Sequence, residues 1–292
     1  MSKYYPDISH HHSVGDWGKI KNSCPFIITK ATEGTTYVDP TLDSVIKECE
    51  KRKIPYWLYT FLRDGNELAQ AKFMVATCKN KVGKYFVGYI LDIEQNNAQS
   101  NCQKALDYIS HLGYKTMIYT MYAQYSLYKA LINERPKACA WWEARYGLND
   151  GVYRAKYPCH PGVNLHQFTS AGKCPGISDK IDLNRLAGKK SESWFTTPAG
   201  NKKSGYSGAW PALPPRGHYQ IGDGYETLTN YPTQIKRVQQ LLNWLTGAKL
   251  KVDGKYGPKT AAAQEKAQKM FGVPVNGKFG NLTLSESKKY KK

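Results

Sequence analysis

Short apolar runs recur along the first part of the chain at intervals filled by amphipathic stretches, and no other feature restricts its fold so strongly. Segments 24–28, 55–61, 85–91 and 115–119 are almost continuously apolar. Between them, 40–53, 67–80 and 98–112 read as helices. A strand buried on both faces has no polar side to alternate with. Uninterrupted apolar strands spaced by helices therefore predict a parallel sheet covered on both sides. With this many β-α units, an irregular (β/α)8-like barrel of the α/β class is favoured over an open sheet.

A chain of 292 residues has room for a second domain. The character changes at 189–208, which is rich in Ser, Gly and Lys, lacks apolar periodicity and reads as a linker. Trp194 and Phe195 stand out within it as candidates to dock on a neighbouring domain. The expected division is thus a barrel at 1–188 and a small, mainly helical domain at 209–292. In the latter, Ile235, Val238, Leu241, Leu242 and Leu245 share one helical face that stops at Gly247. Residues 252–260 (VDGKYGPKT) are echoed at 275–283 (VNGKFGNLT), each reading as a tight glycine turn entering a helix, with Pro258 suited to the first turn.

Lys and Arg number 42 against 23 Asp and Glu, a formal charge of +19. From 189 onward there are 18 basic and 6 acidic residues, so the excess concentrates in the last third. Such a surface attracts polyanions: nucleic acid, anionic membrane or acidic cell-wall polymer. The N-terminal MSKYYPDISHHHSVGDWGK lacks the apolar core of a signal peptide, and no run is long enough to span a bilayer. Synthesis in the cytoplasm without membrane insertion is expected, and extracellular action would need another exit route. The seven cysteines are widely spaced without a C-x-x-C pair, which argues against a disulfide framework or zinc ribbon and for reduced, buried thiols.

Two acids mark the candidate chemistry. Asp92 and Glu94 directly follow the run 85–91, and residues i and i+2 of a strand point to one face. Neighbouring carboxyls raise each other's proton affinity, so one stays protonated to act as a general acid. Glycoside hydrolysis needs this pairing of a proton donor with a second carboxylate at the cationic centre. Asp7, at the end of a first strand, and Asp182, near the end of the first domain, reach the same pocket if a barrel closes first strand on last. His10, His11 and His12 are adjacent and cannot all face one ion, so no metal site is expected. Cys159 and His160 are also adjacent, poor geometry for a nucleophile and its base.

Taken in order, the blocks D-I-S at Asp7, I-I-T-K-A-T-E-G at 27–34, L-D-I-E at 91–94, I-Y-T at 118–120, W-E-A-R-Y at 142–146 and Q-F-T-S-A-G…P-G-I…I-D-L-N at 167–184 resemble glycoside hydrolase family 25, the lysozyme type of phage endolysins and bacterial autolysins. The resemblance implies hydrolysis of the β-1,4 bond between N-acetylmuramic acid and N-acetylglucosamine by a retaining mechanism. It implies Glu94 as acid/base, and Asp92 as nucleophile or as stabiliser of the substrate's acetamido group. Asp7 and Asp182 would tune that pair. Glu33, Tyr59, Phe61, Tyr119, Trp142, Tyr146 and Gln167 would line the groove, their aromatic faces suiting the apolar C–H edges of sugars. Two departures touch the sugar contacts: His166 stands where the family usually has Trp, and 58–61 reads L-Y-T-F where Tyr-His-Phe is common.

The tail, through G-A-W-P-A-L-P-P-R-G at 208–217 and D-G-x-Y-G-x-x-T at 253–260, resembles a small three-helix peptidoglycan-binding domain. The expected partner is then bacterial peptidoglycan, with anionic wall polymers held by the basic tail. Neither nucleic acid nor any cofactor is implied. Action on the wall would follow release through a holin-type pore. The competing readings are a non-catalytic wall-binding protein and a wall amidase or peptidase.

Overall fold

The computed structural model describes residues 3–198, 206–225 and 231–288. The chain divides into two compact units, Met1–Lys202 and Lys203–Lys292.

The first unit runs β1 (Pro6–Ile8), α1 (Trp17–Ser23), β2 (Ile27–Glu33), β3 (Tyr37–Val38), α2 (Leu42–Arg52), β4 (Tyr56–Phe61), α3 (Glu67–Cys78), β5 (Phe86–Ile93), α4 (Gln99–His111), β6 (Lys115–Met121), α5 (Tyr125–Glu134), β7 (Cys139–Ala144), β8 (Leu165–Gly172), β9 (Ile181–Leu186) and α6 (Glu192–Thr196). Sheet order β1-β9-β8-β7-β6-β5-β4-β2, closed by a β1–β2 pairing, makes an eight-stranded barrel, with β3 attached outside the ring to β2. The expected barrel is present, with one correction. β9 runs antiparallel to both β8 and β1, so the ring is not uniformly parallel. Only a tight connection, 173–180, separates β8 from β9, too short for the helical crossover a parallel pair requires.

Alternation along the strands sorts the core into two layers. Inside the barrel lie Ile28, Trp57, Val87, Ile90, Met117, Ala140, Trp142 and Leu165. Outside, Ile27, Leu58, Leu91 and Ile118 pack with Val45, Met74 and Leu106 of the helices. Gly88 makes room for Trp57, because a Cβ there would sit 2.7 Å from the indole and 2.3 Å from the Lys115 carbonyl oxygen. Helix ends follow local signals. Asp16 caps α1 by accepting from Gly18 and Lys19 N–H, and Asn66 caps α3 by accepting from Ala69 N–H.

The expected linker begins inside the first unit. α6 plugs the barrel end where the strands start: Phe195 is fully buried and stacks on Phe26 at 5.4 Å, and the Trp57 indole N–H donates to the Phe195 carbonyl at 2.9 Å. Lys115 Nζ donates to the Trp194 and Thr197 carbonyls, both at 2.7 Å. Burying two aromatics outweighs the polar composition around them. The remainder of that segment at 199–205 lies outside the described residues.

The second unit comprises β10 (His218–Tyr219), α7 (Tyr231–Thr246), α8 (Pro258–Phe271), β11 (Phe279–Gly280) and α9 (Asn281–Lys288), with β10 and β11 antiparallel. α7 ends at Gly247 in the left-handed region (φ 67°), and Pro258 opens α8. Among the described residues no helix is long and apolar enough to cross a membrane.

Candidate active site

Inward alternation in β5 takes Ile90, Asp92 and Glu94 to the barrel axis, leaving Leu91 and Ile93 in the outer layer. Asp92 lies level with Phe61 of β4 and Tyr119 of β6. On the opposite arc, Asp7 and Asp182 are direct partners across the β1–β9 pairing. The closing strands thus bring together acids 175 positions apart in sequence. All four carboxylates sit at the mouth formed by the ends of β1, β5 and the parallel strands beside them, opposite α6.

Burial dominates their electrostatics. Asp7 and Asp92 are only 8% and 7% exposed, and each has one carboxylate oxygen without a hydrogen-bond partner. Desolvation holds both well above the usual carboxylate range, and their acidic neighbours push in the same direction. Glu94 is raised by burial, while the neighbouring Tyr119, Asp92 and Lys30 side chains pull it back. Asp182 is pushed up to about 6 by burial and then by the charge of Glu94. Asp92 and Glu94 are neighbours, and the charge of Glu94 adds to the burial that raises Asp92.

Lys30, to which sequence reasoning gave no role, supplies the compensating charge that lowers the proton affinity of Asp7, Asp92 and Glu94. A register shift between Lys30 and Thr32 in β2 places it. Residues three apart in a regular strand face opposite ways. The bulge turns both Lys30 and Glu33 inward, where Nζ pairs with Glu33 Oε2 at 2.5 Å. The sequence signal was present: a lysine at an inward position of an apolar strand has to meet an acid.

Gln167 ties the two arcs together. Its Oε1 accepts from the Tyr146 hydroxyl at 2.7 Å and the Tyr119 hydroxyl at 3.0 Å, and its Nε2 donates to Asp7 Oδ2 at 3.5 Å. Trp142, expected in the groove, is instead 2% exposed beneath Tyr119, and its indole N–H donates to Asn184 Oδ1 at 2.7 Å. Tyr119 and Gln167 are likewise buried at 4% and 2%, so they brace carboxylates more than they present faces. Inward strand positions near the mouth fill the barrel before they can line a groove. Tyr59, Phe61 and Tyr146 are half-buried. Glu33 is held between Lys30 and Arg63.

The rival clusters resolve separately. His10 Nδ1 lies 3.0 Å from buried Asp39 Oδ2, and His12 Nδ1 accepts from Ser9 N–H. His160 pairs with buried Glu143 at 2.7 Å, and Cys159 is half-buried beside it. Among the described residues no group of three or more His, Cys, Asp or Glu side chains is arranged to hold a metal ion.

A barrel whose mouth gathers buried carboxylates from separate strands has the groups that glycoside hydrolysis requires. Residues 6–177 match the model of glycosyl hydrolases family 25, and the chain belongs to that family. Residues 232–286 match a peptidoglycan binding domain. The autolytic lysozyme of Clostridium acetobutylicum is 27% identical over 285 residues, covering 95% of this chain and 76% of that protein. The lysozyme of Streptococcus phage Cp-1 is 27% identical over 178 residues, 57% of this chain and 50% of that one. The catalytic domain of endolysin ply40 from Listeria monocytogenes bacteriophage P40 shares the fold, with a TM-score of 0.54, 23% identity, and coverage of 64% of this chain and 94% of that one.

Proposed function

We propose that this chain is a muramidase that cuts the β-1,4 bond between N-acetylmuramic acid and N-acetylglucosamine in peptidoglycan. The observation that carries this reading is the convergence of Asp7, Asp92, Glu94 and Asp182 on one mouth around Lys30. Glu94, more exposed than its neighbour Asp92, protonates the leaving oxygen and later activates water. Asp92 stands beside it, as the group that orients the substrate's acetamido oxygen for attack on the anomeric carbon or attacks that carbon itself. Asp7 and Asp182 keep the pair's proton affinity high, and Tyr59, Phe61 and Tyr146 face the sugars.

The two units divide the work. The barrel of 1–188, plugged by α6, cuts, and 209–292 attaches the enzyme to the wall, the basic surface adding attraction to anionic wall polymer.

The test is digestion of purified peptidoglycan by the chain and by Glu94→Gln. The parent should release reducing ends that are N-acetylmuramic acid by mass. The variant should lose at least about a hundredfold in rate, as removal of a general acid does. Release of free amino groups, surviving in Glu94→Gln, would make the enzyme an amidase or peptidase instead.

A further inference from the structure

The second unit contains one polar scaffold twice. In the first copy Gln239 of α7 spans the turn at 253–255. Its Nε2 donates to Asp253 Oδ1 at 2.9 Å and the Lys255 carbonyl at 3.0 Å, and its Oε1 accepts from Gly254 N–H at 2.9 Å. In the second, Gln268 of α8 treats 276–278 the same way. Its Nε2 donates to Asn276 Oδ1 at 2.8 Å and the Lys278 carbonyl at 3.1 Å, and its Oε1 accepts from Gly277 N–H at 3.0 Å. Gly254 and Gly277 both have the positive φ these turns need.

Each turn walls a cavity, about 920 Å³ beside the first and about 250 Å³ beside the second. Lining positions 250, 251, 253, 255, 257, 258, 259 and 260 recur 23 residues later around the second cavity. From Thr260 to Gln268 along α8 is about 12 Å at the helical rise.

The scaffold is duplicated and the lining is not. Lys249, Lys251, Lys255, Lys259 and Lys266 line the first cavity. In the second, Pro274 and Leu282 replace Lys251 and Lys259, and among the described residues Lys278 alone remains of the lysines. Among the described residues the one carboxylate lining the first, Asp253, is engaged by Gln239 and by Lys255 N–H at 2.9 Å. Lys249 stands at φ 53°, a left-handed conformation that a glycine or asparagine would adopt with less strain. Tyr225 also lines this cavity, its ring 5.4 Å from Lys255 Nζ. Turn geometry accounts for the Gln, Gly and Asp or Asn of both copies. It does not account for lysines gathered at only one of them.

We propose that the lysine-lined cavity binds the carboxylates of peptidoglycan stem peptides. The proposal rests on the wall-acting function above and names the chemistry its second unit reads. A polymer with phosphate in every repeat would meet similar charge at both ends of α8. Here, among the described residues, five lysines line the cavity at one end and one lysine lines its counterpart, which is otherwise lined by uncharged polar and apolar groups. A local, branch-borne anion on an uncharged glycan fits that asymmetry.

The test uses the full chain carrying Glu94→Gln, so that wall is bound and not cut. Lys251→Gln/Lys259→Gln is compared with Lys236→Gln/Lys269→Gln, which removes equal charge from exposed positions outside both cavities. Three sorbents are used: peptidoglycan freed of teichoic acid, the same material stripped of stem peptides by an amidase, and intact wall. The cavity pair should weaken binding to stem-bearing peptidoglycan by about fivefold, the scale of losing two exposed ionic contacts. The control pair should change it less than twofold, and stripped glycan should bind both equally. Equal losses in the two pairs would reduce the effect to net charge and overturn the proposal. A loss confined to teichoic-acid-bearing wall would overturn it in favour of a phosphodiester ligand. If the Glu94→Gln parent binds no sorbent, the wall-attachment reading fails and this one with it.

Discussion

Replacing Asp182 by Asn should make the protein more stable and less active, by an amount that depends on pH in a defined way. Burial and the charge of Glu94 lift this carboxyl from an ordinary 3.8 to about 6. Below pH 3.8 it is protonated in the folded and unfolded states alike, and its titration adds no penalty. As pH rises, the unfolded chain releases its proton first, so folding loses ground until the folded group also ionises near pH 6. Above that the penalty is constant. A shift of 2.2 units corresponds to about 3 kcal/mol. The linkage relation makes the wild-type penalty small at pH 4, about half developed at pH 5 and about 3 kcal/mol at pH 7. The asparagine amide carries no charge and escapes the penalty. Urea unfolding of both proteins across this range, followed by the fluorescence of the barrel tryptophans, should show the variant's advantage growing with pH and levelling off near neutrality. The same variant should hydrolyse wall more slowly, because the pair at Glu94 loses a charge that raises its proton affinity. An advantage independent of pH, or a variant less stable than wild type at pH 7, would refute the claim that these acids are held together against their mutual repulsion.

Lys30→Met removes the charge that offsets the cluster. Asp92 and Glu94 should then titrate higher, carrying both limbs of the pH–rate profile upward by about one unit, the lower end for loss of a nearby opposite charge; a profile that keeps its position while falling in height would assign Lys30 a purely structural role. Gln167→Ala unties Tyr119, Tyr146 and Asp7, and should lower kcat at least tenfold more than it changes KM, with about 1–3 kcal/mol of stability lost to unsatisfied groups. Phe195→Ala empties the plug at the far end of the barrel, and should cost about 3–5 kcal/mol in unfolding experiments while the activity of the folded fraction is kept. Loss of activity without loss of stability there would contradict the plug.

Much of this protein was legible in its residues because the signals are local. Strands β4, β5 and β6 lie within the apolar runs or a residue or two of them, since strands buried on both faces must be apolar throughout. The placement of Asp92 and Glu94 on one face follows from the two-residue period of a strand, and the glycine turns of the second unit follow from φ values that other residues avoid. β8 and β9 were recognisable only through the family blocks, because near the barrel mouth their inward positions carry polar side chains such as Gln167 and Asp182 that break an apolar run.

What the tertiary structure alone decided depends on encounters between distant segments. Ring closure sets Asp7 against Asp182, a bulge in β2 swings Lys30 in beside Glu33, and burial converts Trp142 from an expected sugar platform into the floor under Tyr119. The same holds for Phe195, whose polar surroundings in sequence concealed a place beneath Trp57 and Phe26. Proton affinities belong to this second kind of knowledge. The sequence supplies four carboxyl groups, but their titration is set by how completely the closed barrel withdraws them from water and how near it holds them to one another and to the Lys30 ammonium group.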